Sequence, residues 1–109
     1  SMPEPDKIEI ESITSPGKTQ RVDRAKYSAM RTALLGVLPR TPPGVSVAVA
    51  KQSLLPTLPA GLFPGGATAG WWLKAVQLDL EAKGVVARAA GRPVRLFKHR
   101  AAGRTTETS

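Results

Sequence analysis

The sequence contains no cysteine and only one histidine, His99. Without thiols the chain cannot form disulfides, use a cysteine nucleophile or hold a metal ion through thiolates. The absence of cysteine agrees with a reducing compartment, and we expect the protein to be cytoplasmic. A single histidine with no second nitrogen or sulfur ligand beside it predicts a surface residue rather than a catalyst or a metal ligand.

Acidic residues and long apolar runs are also scarce. Eight Asp and Glu residues stand against 16 Lys and Arg residues, which gives a net charge of +8. The acids are scattered, so no nucleophile–base pair or carboxylate pair is evident, and the sequence predicts neither an enzyme nor a cofactor site. No segment approaches the roughly 18 apolar residues of a membrane span, and we expect no membrane contact and no secretion signal.

The positive charge is concentrated toward the C-terminus. Seven bases and no acid lie between Lys83 and Arg104, whereas the first eleven residues contain four acids and one lysine. Such a basic region attracts polyanions over about 8 Å at physiological salt, which makes nucleic acid a candidate partner. The same charge could serve only solubility or nonspecific contact with RNA, and composition does not separate these readings.

A chain of 109 residues can bury one modest hydrophobic core. We predict one domain over residues 7–100. A disordered segment, residues 1–6, precedes it and begins with Ser1 and Met2, which we interpret as vector-derived. A disordered polar tail follows over residues 101–109.

The N-terminal pattern predicts a β-hairpin. Ile8 and Ile10 alternate with acids, which indicates a half-buried strand from Lys7 to Ser12. The sequence "SPGK" at residues 15–18 predicts a turn, because proline and glycine suit its two central positions. Residues 19–22 then return as a second strand.

Two helices follow the hairpin. Asp23 is expected to cap the first helix, which Pro39 ends. Ser46 is expected to cap a second helix of about two turns, because Pro56 disfavours helix at the residue before it. A loop rich in proline and glycine occupies residues 56–66, anchored by Leu58, Leu62 and Phe63. The apolar face of the first helix consists of Tyr27, Met30, Leu34, Val37 and Leu38.

The third helix is expected to begin after a Thr68 cap and to end at Gly84. One apolar stripe contains Ala69, Trp72, Leu73, Val76 and Leu80, and a second contains Trp71, Ala75, Leu78 and Ala82. Adjacent helical positions point about 100° apart, so the two tryptophans cannot serve one core. We expect Trp72 to be buried in the core. Trp71 and Leu78 form a possible interface, covered either by the hairpin or by a second subunit.

After Gly84 the sequences "VVAR" and "PVRLFKH" flank "AAGR", which predicts a second β-hairpin with a basic tip. The stretch "LDLEAKGVVARAAGRPVRLFKHR" resembles the last helix and wing of winged helix-turn-helix domains. More narrowly, "LFPGGATAGWWLKAVQLDLEAKG" and "SPGKTQRVDRAKYSAM" resemble a family of small bacterial proteins of unknown function, over roughly Ile8 to His99. We therefore predict an α+β, winged-helix-like fold with three helices and two β-hairpins.

The broader resemblance implies a fold used mostly for DNA binding and, in a minority, for protein contacts. It implies that the third helix enters the major groove of double-stranded DNA while the wing contacts the backbone, with the protein acting as a homodimer. The DNA-binding residues implied in this way are Thr68, Lys74, Gln77, Arg88, Arg92, Arg95 and Lys98.

Two departures from that pattern favour the alternative, a protein-interaction or dimerisation module that does not bind DNA. The loop before the third helix is longer than the turn of a tight helix-turn-helix motif. Asp79 and Glu81 also lie on the helix expected to read DNA, where phosphates repel carboxylates.

Overall fold

The computed structural model describes residues 7–12 and 14–99. It is an α+β fold of three helices and two small antiparallel sheets, compatible with the winged-helix-like arrangement that the sequence predicts. Within these two ranges no helix is long and apolar enough to cross a membrane. The terminal segments predicted over residues 1–6 and 101–109 lie outside the described residues.

Strands β1 (Lys7–Ser12) and β2 (Ser15–Asp23) form the N-terminal hairpin. Ile10 and Val22 are buried, which confirms the alternation seen in the sequence. The turn predicted at residues 15–18 is wrong, because the chain reverses between Ser12 and Ser15. Residues 16–18 instead form an irregularity in β2, where the backbone amide of Gly17 donates to the Glu11 carboxylate at 3.1 Å.

Helix α1 (Arg24–Val37) begins at the predicted cap, since the Asp23 carboxylate accepts from the amides of Ala25 and Lys26. These bonds satisfy amide groups that have no partner within the helix. Val37 is half-buried at the end of the helix. The other four residues of its predicted apolar face are buried in the core: Tyr27, Met30, Leu34 and Leu38.

The next elements are strand β3 (Val45–Ser46) and helix α2 (Val47–Leu54), which begins at the residue directly after β3. Ser46 caps α2 as predicted, and its hydroxyl accepts from the amide of Val49 at 3.2 Å. The loop after α2 contains two short 3-10 turns, and within it Phe63 is buried whereas Leu58 and Leu62 are half-buried. Strand β3 was not predicted, because two residues are too few to show an alternating pattern.

Helix α3 (Ala69–Ala82) places the whole first apolar stripe in the core. The Gly84 amide donates to the Glu81 carbonyl and the Val85 amide to the Leu80 carbonyl, the hydrogen bonds of a Schellman motif. The prediction that the Thr68 side chain caps α3 is wrong. Thr68 has a left-handed backbone, with φ of 60°, and its hydroxyl donates to the Ala67 carbonyl instead.

The C-terminal sheet has the strand order β3–β5–β4, with β4 at Val86–Arg88 and β5 at Arg95–Lys98. Strands β4 and β5 are the predicted second hairpin, called here the wing together with the connecting residues 89–94. Val86 and Leu96 are buried on the face that the sheet turns toward the helices. Strand β3 pairs with β5, which ties the segment before α2 to the wing.

Candidate nucleic-acid interface

The wing carries four of the cations that the sequence assigns to DNA binding, and the strand register divides them. Arg88 lies opposite Leu96, so the Arg88 side chain is on the face that covers the helices. Arg95 precedes Leu96 in β5 and therefore points from the other face of the sheet. Arg92 is exposed in the connection between the two strands. The predicted arginines therefore do not form a single row.

Arg88 is engaged by an acid of α3. Its Nε donates to Oε1 of Glu81 at 2.6 Å, and the other carboxylate oxygen of Glu81 accepts from the Gln77 amide at 2.9 Å. The hydrogen bond to Glu81 raises the pKa of Arg88. This contact fixes the wing against α3, a role for Arg88 that the sequence analysis missed because the partner lies across a helix end.

Three wing cations are available to an external anion. Arg92 is exposed, and Arg95 is half-buried on the outer face. Lys98 is half-buried at the end of β5, opposite Val86 and on the same face as Arg88. Among the residues that the structure describes, none of these three forms an ion pair with an acid. Their charges are therefore not neutralised by the described part of the protein, and they can contact phosphates.

The three residues of α3 and its N-terminal cap that were expected to reach DNA differ in their exposure to solvent. Lys74 and Thr68 are exposed. Gln77 is only 5% exposed and is bonded to Glu81, so its amide does not reach the surface. Lys74 is left as the long polar side chain in the middle of the helix that can approach a base or a phosphate.

The acids expected to repel phosphates are buried. Asp79 is fully buried and Glu81 is 8% exposed. Lys83 Nζ donates to both carboxylate oxygens of Asp79 at 2.6 and 2.7 Å, and Arg88 neutralises Glu81. The two carboxylates therefore present little negative potential to a ligand and serve the structure instead.

Asp79 connects three elements of the fold. Its Oδ1 accepts from the backbone amide of Glu11 in β1 at 2.9 Å, and its Oδ2 accepts from the hydroxyl of Tyr27 in α1. Burial raises the pKa of the Tyr27 phenol, and the hydrogen bond to Asp79 and the negative charge of that carboxylate raise it further. Within the fold, Tyr27 is therefore held in its neutral, donating form.

This arrangement predicts a loss of stability at alkaline pH. The raised pKa favours the protonated phenol in the folded state, so its contribution is complete below about pH 10 and declines as the pH rises above that value. Between about pH 9 and about pH 11 we expect the wild type to lose about 1 kcal/mol more unfolding free energy than Tyr27→Phe. Urea unfolding at both pH values measures this difference, and equal losses would contradict it.

The second apolar stripe of α3 lies beside the N-terminal hairpin, which covers it in part. Trp71 is 51% exposed and Trp72 is 8% exposed, with their ring centroids 5.0 Å apart and the rings nearly perpendicular. A groove with a volume of about 510 Å³ lies between part of α3 and the hairpin, and its lining residues include Trp71 and the half-buried Leu78. The predicted interface residues therefore line an open groove, called here the hairpin groove.

In the described part of the chain, no three His, Cys, Asp or Glu side chains lie close enough together to hold a metal ion.

Comparison with protein families matches residues 7–96 to a family of unknown function (DUF6958). No curated protein and no solved structure matches the chain.

Proposed function

This chain belongs to the DUF6958 family of unknown function, and from its geometry we propose that it is a cytoplasmic DNA-binding protein whose wing contacts the phosphate backbone. The observation that supports this proposal is the group of wing cations without an acidic partner in the described residues: Arg92, Arg95 and Lys98. Contacts to phosphates supply most of the affinity of nonspecific DNA binding, and they need no defined base sequence.

The surface of α3 argues for weak sequence discrimination. Base readout in the major groove requires several polar side chains at the surface of one helix. Gln77 is buried, and the exposed side chains near the start of α3 include Trp71 and Lys74. We therefore propose that Lys74 contacts a phosphate or a single base edge, while the wing provides the main electrostatic attraction.

Titration of duplex DNA tests this function. At low salt we expect Arg92→Gln/Arg95→Gln to bind a labelled random duplex about tenfold more weakly than the wild type. The slope of log affinity against log salt should fall by about 1.8, because two phosphate contacts are lost. Fluorescence anisotropy at a series of salt concentrations measures both quantities, and a genomic duplex should bind with a similar affinity.

A matched variant controls for net charge. Lys7→Gln/Arg21→Gln removes the same charge from exposed positions of the N-terminal hairpin. At about 0.1 M salt we expect its DNA affinity to stay within about twofold of the wild type, since charge effects are then largely screened beyond about 10 Å. Equal losses in the two double variants, or no binding of the wild type at low salt, would refute the proposal.

A second candidate function is a protein contact, including self-association as a homodimer. It is favoured by the exposure of Trp71, one of two large hydrophobic residues exposed among those described. Tryptophan is enriched among the residues that dominate protein interfaces, and an exposed apolar patch on a small domain commonly marks such a surface.

A further inference from the structure

We propose that the hairpin groove binds an extended segment of a partner protein that combines acidic and apolar side chains. The inference rests on the second candidate function above and names the chemistry of the partner. None of the wing cations Arg92, Arg95 and Lys98 lines this groove. Of the residues proposed to contact DNA, the groove contains Lys74 alone, so binding of a segment here is separable from binding of DNA at the wing.

The floor of the groove is apolar. Ile10 of β1 faces Ala75 and Leu78 of α3 across it, and Trp71 stands beside them with half of its surface exposed. A cavity of about 510 Å³ has room for several side chains. A half-exposed tryptophan in a concave apolar site is typical of an interface anchor, because contact with a partner removes its remaining surface from water.

The rim of the groove carries positive charge. Lys18 of β2 and Lys74 of α3 are exposed and line the groove, and neither forms an ion pair with an acid in the described residues. Glu11 also lines the groove, and its carboxylate accepts from the Gly17 amide at 3.1 Å. The two free ammonium groups favour carboxylates on the partner. A second copy of this chain is disfavoured, because each copy carries a net charge of +8.

The neighbouring strand favours an extended partner. β2 contributes Lys18, Thr19 and Gln20 to the groove, and its outer edge pairs with no other strand within residues 7–12 and 14–99. An open edge offers backbone donors and acceptors to an added strand. A nucleic acid fits less well, because Trp71 is the one aromatic side chain among the described residues that line the groove, and a single ring cannot stack successive bases along a strand.

Binding of a defined peptide tests the proposal. The probe is a fluorescein-labelled peptide of about eight residues that alternates aspartate with leucine, long enough to extend along one strand. Fluorescence anisotropy should show saturable binding to the intact protein. We expect Trp71→Ala to weaken binding at least tenfold, which is the effect of truncating an interface anchor. Lys18→Gln/Lys74→Gln should weaken it about fivefold and reduce its salt dependence.

The controls share the chemistry of the test variants but lie outside the groove. Val49→Ala removes an exposed apolar side chain of α2, and Lys7→Gln/Arg40→Gln removes the same charge as the lysine pair from exposed positions outside β2. Both should bind the peptide within about twofold of the wild type. Arg92→Gln/Arg95→Gln should also bind it normally, which separates this result from the outcome of the DNA titration.

Three results would overturn the proposal. The first is the absence of saturable binding of the aspartate–leucine peptide up to about 1 mM, the lower limit of useful affinity. The second is displacement of the peptide by oligothymidine with loss of that displacement in Trp71→Ala, which would assign the groove to nucleic acid. The third is a homodimer, detected by light scattering, that Trp71→Ala dissociates.

Discussion

Asp79→Ala is expected to lower the free energy of unfolding by about 3 kcal/mol. The substitution removes the acceptor for three donors, the Glu11 amide, the Tyr27 hydroxyl and the Lys83 ammonium group. Lys83 is about half exposed and can turn to water, whereas the Tyr27 hydroxyl stays in the core and loses the acceptor of its proton. Urea unfolding followed by tryptophan fluorescence measures the loss.

The control for this prediction is Glu9→Ala. Glu9 is an exposed acid of β1 whose carboxylate accepts only an exposed hydrogen bond from Thr19 at 3.4 Å among the interactions of the described residues. We expect its removal to change the unfolding free energy by less than about 0.5 kcal/mol. If the two alanine variants lost similar amounts of stability, Asp79 would not be the connection between the hairpin, α1 and α3 that the contacts indicate.

The second large effect is expected at Gly44, just before β3. Its φ is 79°, and a Cβ at this position would lie 1.9 Å from the carbonyl oxygen of Leu96 in β5. Gly44→Ala therefore combines a strained backbone with a collision at the pairing of β3 and β5. We expect a loss of about 3 kcal/mol in unfolding free energy, measured by urea unfolding.

The matched substitution Gly36→Ala should have the opposite sign. Gly36 lies inside α1, and a Cβ there would meet no atom within 4 Å. Alanine is a better helix former than glycine, so we expect a gain of about 0.5 kcal/mol. A destabilised Gly36→Ala would contradict the open space beside Gly36. A Gly44→Ala variant that unfolds like the wild type would contradict the close approach of Gly44 to Leu96.

The sequence predicted the elements whose signals are local. The caps at Asp23 and Ser46 follow from side chains that satisfy amides two or three residues away, and both are present. The glycine at the end of α3 and the buried stripe that includes Trp72 follow in the same way from short-range spacing. These features need no knowledge of which elements meet in space.

The features that the sequence did not predict depend on distant partners. The local sequence suggests a solvated helical residue at Asp79. Its buried carboxylate accepts from the Glu11 amide, which lies 68 positions away in the chain. The sequence suggests a polar surface residue at Gln77, yet Gln77 is buried and donates to Glu81, which also accepts from Arg88 of the wing. Strand β3 forms because β5 pairs with it, and a two-residue segment is too short for its sequence to predict that pairing. Each case is a tertiary contact that overrides a local preference.

The same contacts change the expectation for DNA binding. The acids of α3, expected to oppose DNA, are neutralised inside the protein, while Arg88 and Gln77, expected to favour it, are occupied by Glu81. The expected contact surface therefore moves from the middle of α3 to the tip and outer face of the wing, around Arg92 and Arg95. This surface is suited to phosphates more than to bases.

DNA binding through the wing is tested by an amide correlation NMR spectrum recorded during titration with a random DNA duplex at low salt. We expect chemical-shift changes concentrated in residues 86–98 of the wing, a smaller change at Lys74, and little change at the side-chain amide of Gln77. The Trp71 indole signal should move strongly with the aspartate–leucine peptide and only slightly with the duplex, which contacts Lys74 one helical turn away. Shifts centred on α3, or shifts spread evenly over the basic surface with none concentrated in the wing, would show that the wing is not the DNA-binding surface.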